Sequence, residues 1–211
     1  MTVNDLHLAM ARLAGNRNAF WSEADFQFAL AWELQKIHPS ATIHLEKCYQ
    51  HSSLQKNYHI DIWVEDLGQI FPIELKYKTK DATIPQNNGS QISLKNHGAV
   101  DLGCYDYLKD IARIEDVARL EKPSFAKGFA IMLTNEQKYC THVKVRSAYD
   151  NFKIYQEATR TGNLTWGLTR KGTTFVCGDR LPFALKGVYT MNWTPYNNSQ
   201  HGFMYLINEI K

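Results

Sequence analysis

Three residues stand where their types and spacing can do chemistry: Asp61, in His59-Ile60-Asp61-Ile62-Trp63-Val64, and Glu74 and Lys76, in Pro72-Ile73-Glu74-Leu75-Lys76-Tyr77. Along a strand, side chains alternate faces, so Glu74 and Lys76 share one face while Ile73, Leu75 and Tyr77 take the other. Asp61 lies between Ile60 and Ile62, again an acid set into an apolar run. Charge in such a run is costly unless it meets a partner, another charge or a metal ion. Two converging carboxylates with a nearby lysine suit a hard divalent cation. Mg²⁺ keeps several waters and needs few protein carboxylates, and Mn²⁺ has similar tastes. Such an ion acidifies a bound water and stabilises charge on a phosphoryl oxygen, and Lys76 is placed to orient that water or neutralise the transition state.

The elements that must position these residues are legible nearby. Asp66-Leu67-Gly68 is a turn sequence, making Tyr58 to Glu65 and Gln69 to Tyr77 an antiparallel hairpin. Opposed residues in such a pair have numbers of constant sum. If Asp66 and Leu67 form the loop, the sum is 133 and Asp61 faces Pro72, two residues from Glu74 on one face; a sum of 135 sets Asp61 opposite Glu74. Any odd sum unites the carboxylates, and an even sum or a bulge separates them.

Before the hairpin, the spacing predicts a helix over Ser22 to Ile37, with Ser22 as cap, Asp25 three residues on, a hydrophobic staple between Trp21 and Phe26, and Pro39 beyond its end. A strand is expected over Ala41 to Tyr49. Polar Thr79 to Asn96, with Pro85, Asn87, Asn88 and Gly89, reads as a long loop. A helix follows over Ala99 to Leu120, its apolar stripe formed by Tyr107, Ile111, Ile114 and Ala118, and Pro123 ends it. Lys127 to Thr134 suits a strand buried on both faces. Beyond it we expect a short helix near Tyr149 to Ala158 and strands near Gly187 to Trp193 and Phe203 to Ile207. The fold class is therefore α/β: a mixed β-sheet flanked by helices in the order α-β-β-β-α-β, with a C-terminal extension.

Asp61, twelve intervening residues, then Glu74-Leu75-Lys76 resembles the motif of the PD-(D/E)XK nuclease superfamily. The similarity covers roughly Trp21 to Thr134 and implies a restriction-endonuclease-like core. It implies that Asp61 and Glu74 bind Mg²⁺ with help from the Leu75 carbonyl, and that Lys76 assists the attacking water. Many members add an acid from the first helix, for which Glu23 is the candidate and Glu33 the alternative. Some carry Gln-x-x-x-Tyr on the following helix, where this chain has Asp101-x-x-x-Tyr105, and Ile60 replaces the family's proline. The activity implied is hydrolysis of DNA to a 5′-phosphate and a 3′-hydroxyl, with RNA as a further substrate and a homodimer as the form that would cut two strands. The competing reading is a catalytically silent nuclease-like fold serving as a nucleic-acid-binding or structural accessory module.

Composition bounds these readings. The chain has 211 residues, 44% hydrophobic and 21% charged, the balance of one globular domain over 1–211, with a core at about 21–134 and an extension at about 135–211. No apolar run is long enough to span a bilayer and no basic-then-apolar leader opens the sequence, so a cytoplasmic protein is expected. Cys48, Cys104, Cys140 and Cys177 form no Cys-x-x-Cys pair and are expected as reduced, buried thiols; His44, Cys48, His51 and His59 match no zinc spacing. Net charge is only +3, but Lys138 to Lys186 holds nine Lys/Arg against three acids, a bias that permits phosphate contact. Lys78, Lys80, Arg170 and Lys171 are the candidate nucleic-acid contacts. Trp166 and Trp193 could stack on bases, although aromatics more often fill cores.

Overall fold

A computed structural model describes residues 1–54, 56–142, 147–167, 180–197 and 201–211. It opens with a helix that the sequence reading does not include, α1 (Val3–Asn16). Thr2 and Asp5 close a reciprocal capping box at its start, and Leu6, Ala9, Met10 and Leu13 form its buried stripe. Helix α2 (Glu23–Ile37) begins where expected, with the Ser22 side chain accepting from the Asp25 amide. The expected staple is not formed. Trp21 is 64% exposed, and Phe20 meets Phe26 instead, with ring centroids 5.0 Å apart. The Asp25 carboxylate takes the Trp21 amide at 2.9 Å and the Arg17 guanidinium at 2.6 Å, which turns the chain and swings the indole outward.

The sheet follows: β1 (Thr42–Tyr49), β2 (Tyr58–Asp66) and β3 (Gln69–Lys78) form an antiparallel meander. Leu67 and Gly68 make its second turn with φ of 50° and 75°, the left-handed pair of a tight hairpin. Asp66 thus pairs Gln69 and Ile62 pairs Ile73, a sum of 135. The expected loop over Thr79 to Asn96 is corrected to a hairpin, β4 (Ala82–Pro85) and β5 (Gln91–Leu94). Ile84, Ile92 and Leu94 alternate with polar residues and are buried, while Gly89, at φ 83°, lets the chain turn. The polar composition hid a short period-two pattern.

Helix α3 (Val100–Leu120) crosses to β6 (Gly128–Thr134), which lies parallel to β3 and is buried throughout. The remaining strands are β7 (Thr159–Leu164), β8 (Phe183–Thr190), β9 (Thr194–Pro195) and β10 (Met204–Ile210). The main sheet runs β1-β2-β3-β6-β10-β9, with β7 and β8 paired separately, a mixed α/β fold. Instead of the helix expected near Tyr149 to Ala158 there is only a 3₁₀ turn at Asp150–Phe152, because Phe152 and Ile154 are drawn into the core under β7 and β8. Strand β8 starts four residues earlier than expected.

Helices α1 and α2 cover one sheet face, packing on Ile62, Val64, Ile73, Leu75 and Tyr77. Helix α3 covers the other, with Tyr107, Leu108, Ile111 and Ile114 on Ala130, Met132 and Leu206. Each such aliphatic side chain contributes about 1.5–3 kcal/mol by leaving water. The β7–β8 hairpin is fastened to α3 by Glu115, whose carboxylate accepts from the Lys186 and Gly187 amides and the Tyr189 hydroxyl at 2.7–2.9 Å. Among the described residues no helix is long and apolar enough to cross a membrane. Cys48, Cys104 and Cys140 are free, as expected, but of these only Cys104 is buried, Cys48 being exposed and Cys140 half-buried; Cys177 lies outside the described residues.

Candidate active site

The site forms where two strands part. The β2–β3 ladder ends at Ile62 and Ile73, so β3 continues with amides that have lost their strand partner. Side chains replace it: Asp61 Oδ2 accepts from the Leu75 amide at 2.5 Å, and Glu23 Oε2 accepts from the Tyr77 amide at 2.6 Å. Across β2, the β1 ladder pairs Leu45 with Ile62 and Lys47 with Ile60 but skips Glu46 and Asp61, and Glu46 has φ 52°. The alternation resets there, since Ile62 and Val64 pack beneath α2 whereas Ile60 joins Trp63 and Val117. Gln27, buried on α2, braces the break, donating to the Asp61 carbonyl at 2.5 Å and to Glu46 Oε1 at 2.8 Å.

On the α3 side, Lys76 Nζ lies 2.9 Å from the Leu75 carbonyl and 2.6 Å from Asp110 Oδ2. Arg113, one turn along α3, pairs with Asp110 and places a guanidinium nitrogen 3.2 Å from Glu74 Oε1. Glu74 is only 1% exposed, and neither of its oxygens has a partner with hydrogen-bond geometry among the described residues. The Arg113 contact is thus an ion pair by distance, not a directed hydrogen bond.

The electrostatics follow from that burial. Desolvation, reinforced by Asp110 and opposed by Arg113, pushes the Glu74 carboxyl well above the usual range, toward its protonated form. Desolvation likewise raises Asp61 to about 6, against the pull of Lys76 and the Leu75 amide. Burial alone would lower Lys76, but Asp110, Glu23 and Asp61 outweigh it and hold its pKa above the ordinary value. The ammonium therefore keeps its proton while the two carboxyls are reluctant to lose theirs.

Among the described residues no group of three or more His, Cys, Asp or Glu is arranged to hold a metal ion. Asp61 and Glu74 are two carboxylates, and the orphaned oxygens of Glu74 with the raised Asp61 fit a hard cation that draws most of its ligands from water.

The other expected residues divide clearly. Glu23 reaches the fork. Glu33 does not, being paired with Lys36 at 2.7 Å and with Arg12 at 3.9 Å between the two N-terminal helices. Lys78 is partly buried near His97, and Lys80 is exposed beyond the end of β3, its amide held by Asn135 Oδ1 at 2.8 Å. Arg170 and Lys171 lie outside the described residues. Tyr105 is buried on α3. Its ring stacks on Trp166 and its hydroxyl donates to the Leu181 carbonyl at 2.8 Å. Trp166 and Trp193 are buried core residues. In the basic C-terminal third, Lys153, Arg160 and Arg180 are engaged by Asp150, the Lys153 carbonyl and Asp106, while Lys138, Lys186 and Lys211 stand exposed among its described cations.

Asp110, Arg113 and Gln27 escape the sequence reading. A signal existed for Asp110: it lies three residues after Tyr107 and four before Ile114, a charge on the buried stripe of α3. Comparison with family models, curated proteins and solved structures yields no match.

Proposed function

We propose that this chain is a metal-dependent phosphodiesterase that cleaves DNA, a nuclease of the PD-(D/E)XK kind. The observation that carries the reading is the convergence of Asp61, Glu74 and Lys76 at the β2–β3 fork, with both carboxyls raised and the lysine kept charged. The order α2, β1–β3, α3, β6 supports a restriction-endonuclease-like core. Asp61 and Glu74 would hold Mg²⁺, or Mn²⁺. The ion, when bound, supplies charge to a phosphoryl oxygen and makes a coordinated water more acidic.

The chain's own residues do the rest. Lys76, secured as an ammonium, donates hydrogen bonds and does not act as the base. It would orient the attacking water and offset negative charge gathering on the phosphate as the new O–P bond forms and the bond to the 3′-oxygen breaks. Asp110 sets the reach of Lys76, Arg113 ties Asp110 to Glu74, and Glu23 fixes the end of β3 through the Tyr77 amide. A second reading, a nucleic-acid-binding module without turnover, draws support from Arg113, which competes with a cation for Glu74.

The test is cleavage of linear, nicked, branched and single-stranded DNA, and of RNA, with Mg²⁺, Mn²⁺ or EDTA. Asp61→Asn and Glu74→Ala serve as controls. Cleavage lost in EDTA and in both variants supports the enzyme. No cleavage of any substrate, together with no metal binding by calorimetry, sinks it in favour of the binding module.

A further inference from the structure

A recess of about 370 Å³ opens between the start of α2 and the turn joining β4 to β5. Its walls are Arg17, Trp21 and the turn residues Gln86, Asn87, Asn88 and Ser90. We infer that this recess is a binding site for an unpaired nucleobase beside the candidate active site. The inference takes its ligand class from the phosphodiesterase reading above.

Three features of the recess itself carry it. The volume lies within the roughly 300–1,000 Å³ usual for small-ligand sites. Trp21, swung out by the Asp25 interactions, offers an exposed indole, the side chain with the largest face for stacking on a planar base. Facing chemistry is amide-rich: Gln86, Asn87 and Asn88 line the recess, and Asn88, whose Oδ1 accepts from Ser90, has its NH₂ group unused among the described residues. A base carbonyl or ring nitrogen is an acceptor for such an amide, as when asparagine and glutamine pair with base edges.

The walls are also held in place and rightly located. Asn18 Nδ2 donates to the Pro85 carbonyl at 2.7 Å, and Asn87 Nδ2 to the Gly15 carbonyl at 3.3 Å, locking the hairpin tip to the α1–α2 connection. Little ordering remains to be done on binding. Trp21 is two residues from Glu23, so their Cα atoms are at most about 7 Å apart. Tyr77 touches both ends of this segment, through its amide to Glu23 and its hydroxyl to the Phe20 carbonyl at 3.1 Å. Lys78 and Lys80 lie on the stretch from Tyr77 to the hairpin and provide charge for a phosphate backbone. A strand whose phosphate met Lys76 could therefore place a neighbouring base against Trp21.

The experiment measures binding without requiring cleavage. A short fluorescein-labelled single-stranded oligodeoxynucleotide is titrated with full-length protein in EDTA, by anisotropy, using wild type, Trp21→Ala, Trp21→Phe and Gln86→Leu. Trp21→Ala should bind about 5- to 150-fold more weakly, the range set by loss of one base–aromatic stack. Trp21→Phe should retain most of the affinity, and Gln86→Leu should change the ranking among homopolymers of the four bases. Circular dichroism confirms folding of each variant. Wild-type affinity in Trp21→Ala, or equal binding of a duplex and a single strand, overturns the inference. Trp21-dependent binding with no cleavage under any metal would leave the recess standing while removing the nuclease reading. Metal-dependent cleavage with Trp21→Ala binding normally would do the reverse.

Discussion

Replacing Asp61 by asparagine should stabilise the metal-free protein at alkaline pH and leave it unchanged in acid. The Asp61 carboxyl is raised from an ordinary 3.8 to about 6, chiefly by burial. At roughly 1.4 kcal/mol per tenfold change, that rise corresponds to about 3 kcal/mol. The sign follows from proton linkage. A carboxyl raised in the folded state binds its proton more tightly there than in the unfolded chain, so folding is favoured below the unfolded value. That stability is lost as pH climbs from about 4 through about 6. Glu74, raised well above its ordinary value by burial, adds to the loss in the same direction. Asparagine keeps an oxygen for the Leu75 amide and has no charge to desolvate. In EDTA at pH 8 the variant should thus melt about 6–12 °C above wild type, at the 2–4 °C per kcal/mol usual for this chain length. Near pH 4 the two should coincide. Mg²⁺ at a hundredfold excess over its dissociation constant should add about 2.7 kcal/mol to wild type at pH 8 and nothing to Asp61→Asn. Thermal unfolding followed by circular dichroism across this pH range reads all three effects. A wild-type stability flat from pH 4 to 8, or a variant equally destabilised at both ends, would refute the account of a desolvated, cation-seeking carboxyl.

Lys76→Met should abolish metal-dependent cleavage while calorimetry still detects Mg²⁺, because Asp110 retains Arg113 and the two candidate ligands are untouched. Asp110→Ala strips the partner from both Lys76 and Arg113 and should cost about 3–5 kcal/mol in urea unfolding, the usual penalty for leaving buried charge uncompensated. A cost under about 1 kcal/mol would show the pair to be solvated. Glu115→Ala removes the carboxylate that fastens β8 to α3 and should lower stability by about 1.5–3 kcal/mol, with faster amide exchange at Lys186 and Gly187 as its local mark. Gly128→Ala should lose about 1–3 kcal/mol by overpacking, since a Cβ there collides with the Ile114 side chain and lies 3.3 Å from the Pro72 carbonyl.

The sequence by itself determined the elements whose pattern is local and strong. Ser22 and the apolar spacing after it set α2, the turn at Leu67 and Gly68 set the β2–β3 hairpin, and the unbroken apolar run marked β6. Parity required Asp61 and Glu74 to share a face for any unbroken odd register; the sum of 135 is one of those anticipated, but it runs only from Ile62 to Asp66, and the alternation resets at Asp61, so parity alone did not decide how the two acids meet. The local elements were legible because period and turn chemistry act between near neighbours. Tertiary structure decided the rest. The capping box of α1 was readable but overlooked, whereas the fate of Trp21 depended on Asp25 and Arg17 drawing the chain aside. The stretch from Tyr149 to Ala158 could not remain helical once Phe152 and Ile154 were claimed by the core. Most of all, the fork required the β2–β3 ladder to stop at Ile62 and Ile73, so that carboxylates could replace a strand, and required α3 to bring Asp110 and Arg113 across. Those contacts join residues up to 54 positions apart, and no local pattern encodes a distance between surfaces that meet only when the core closes.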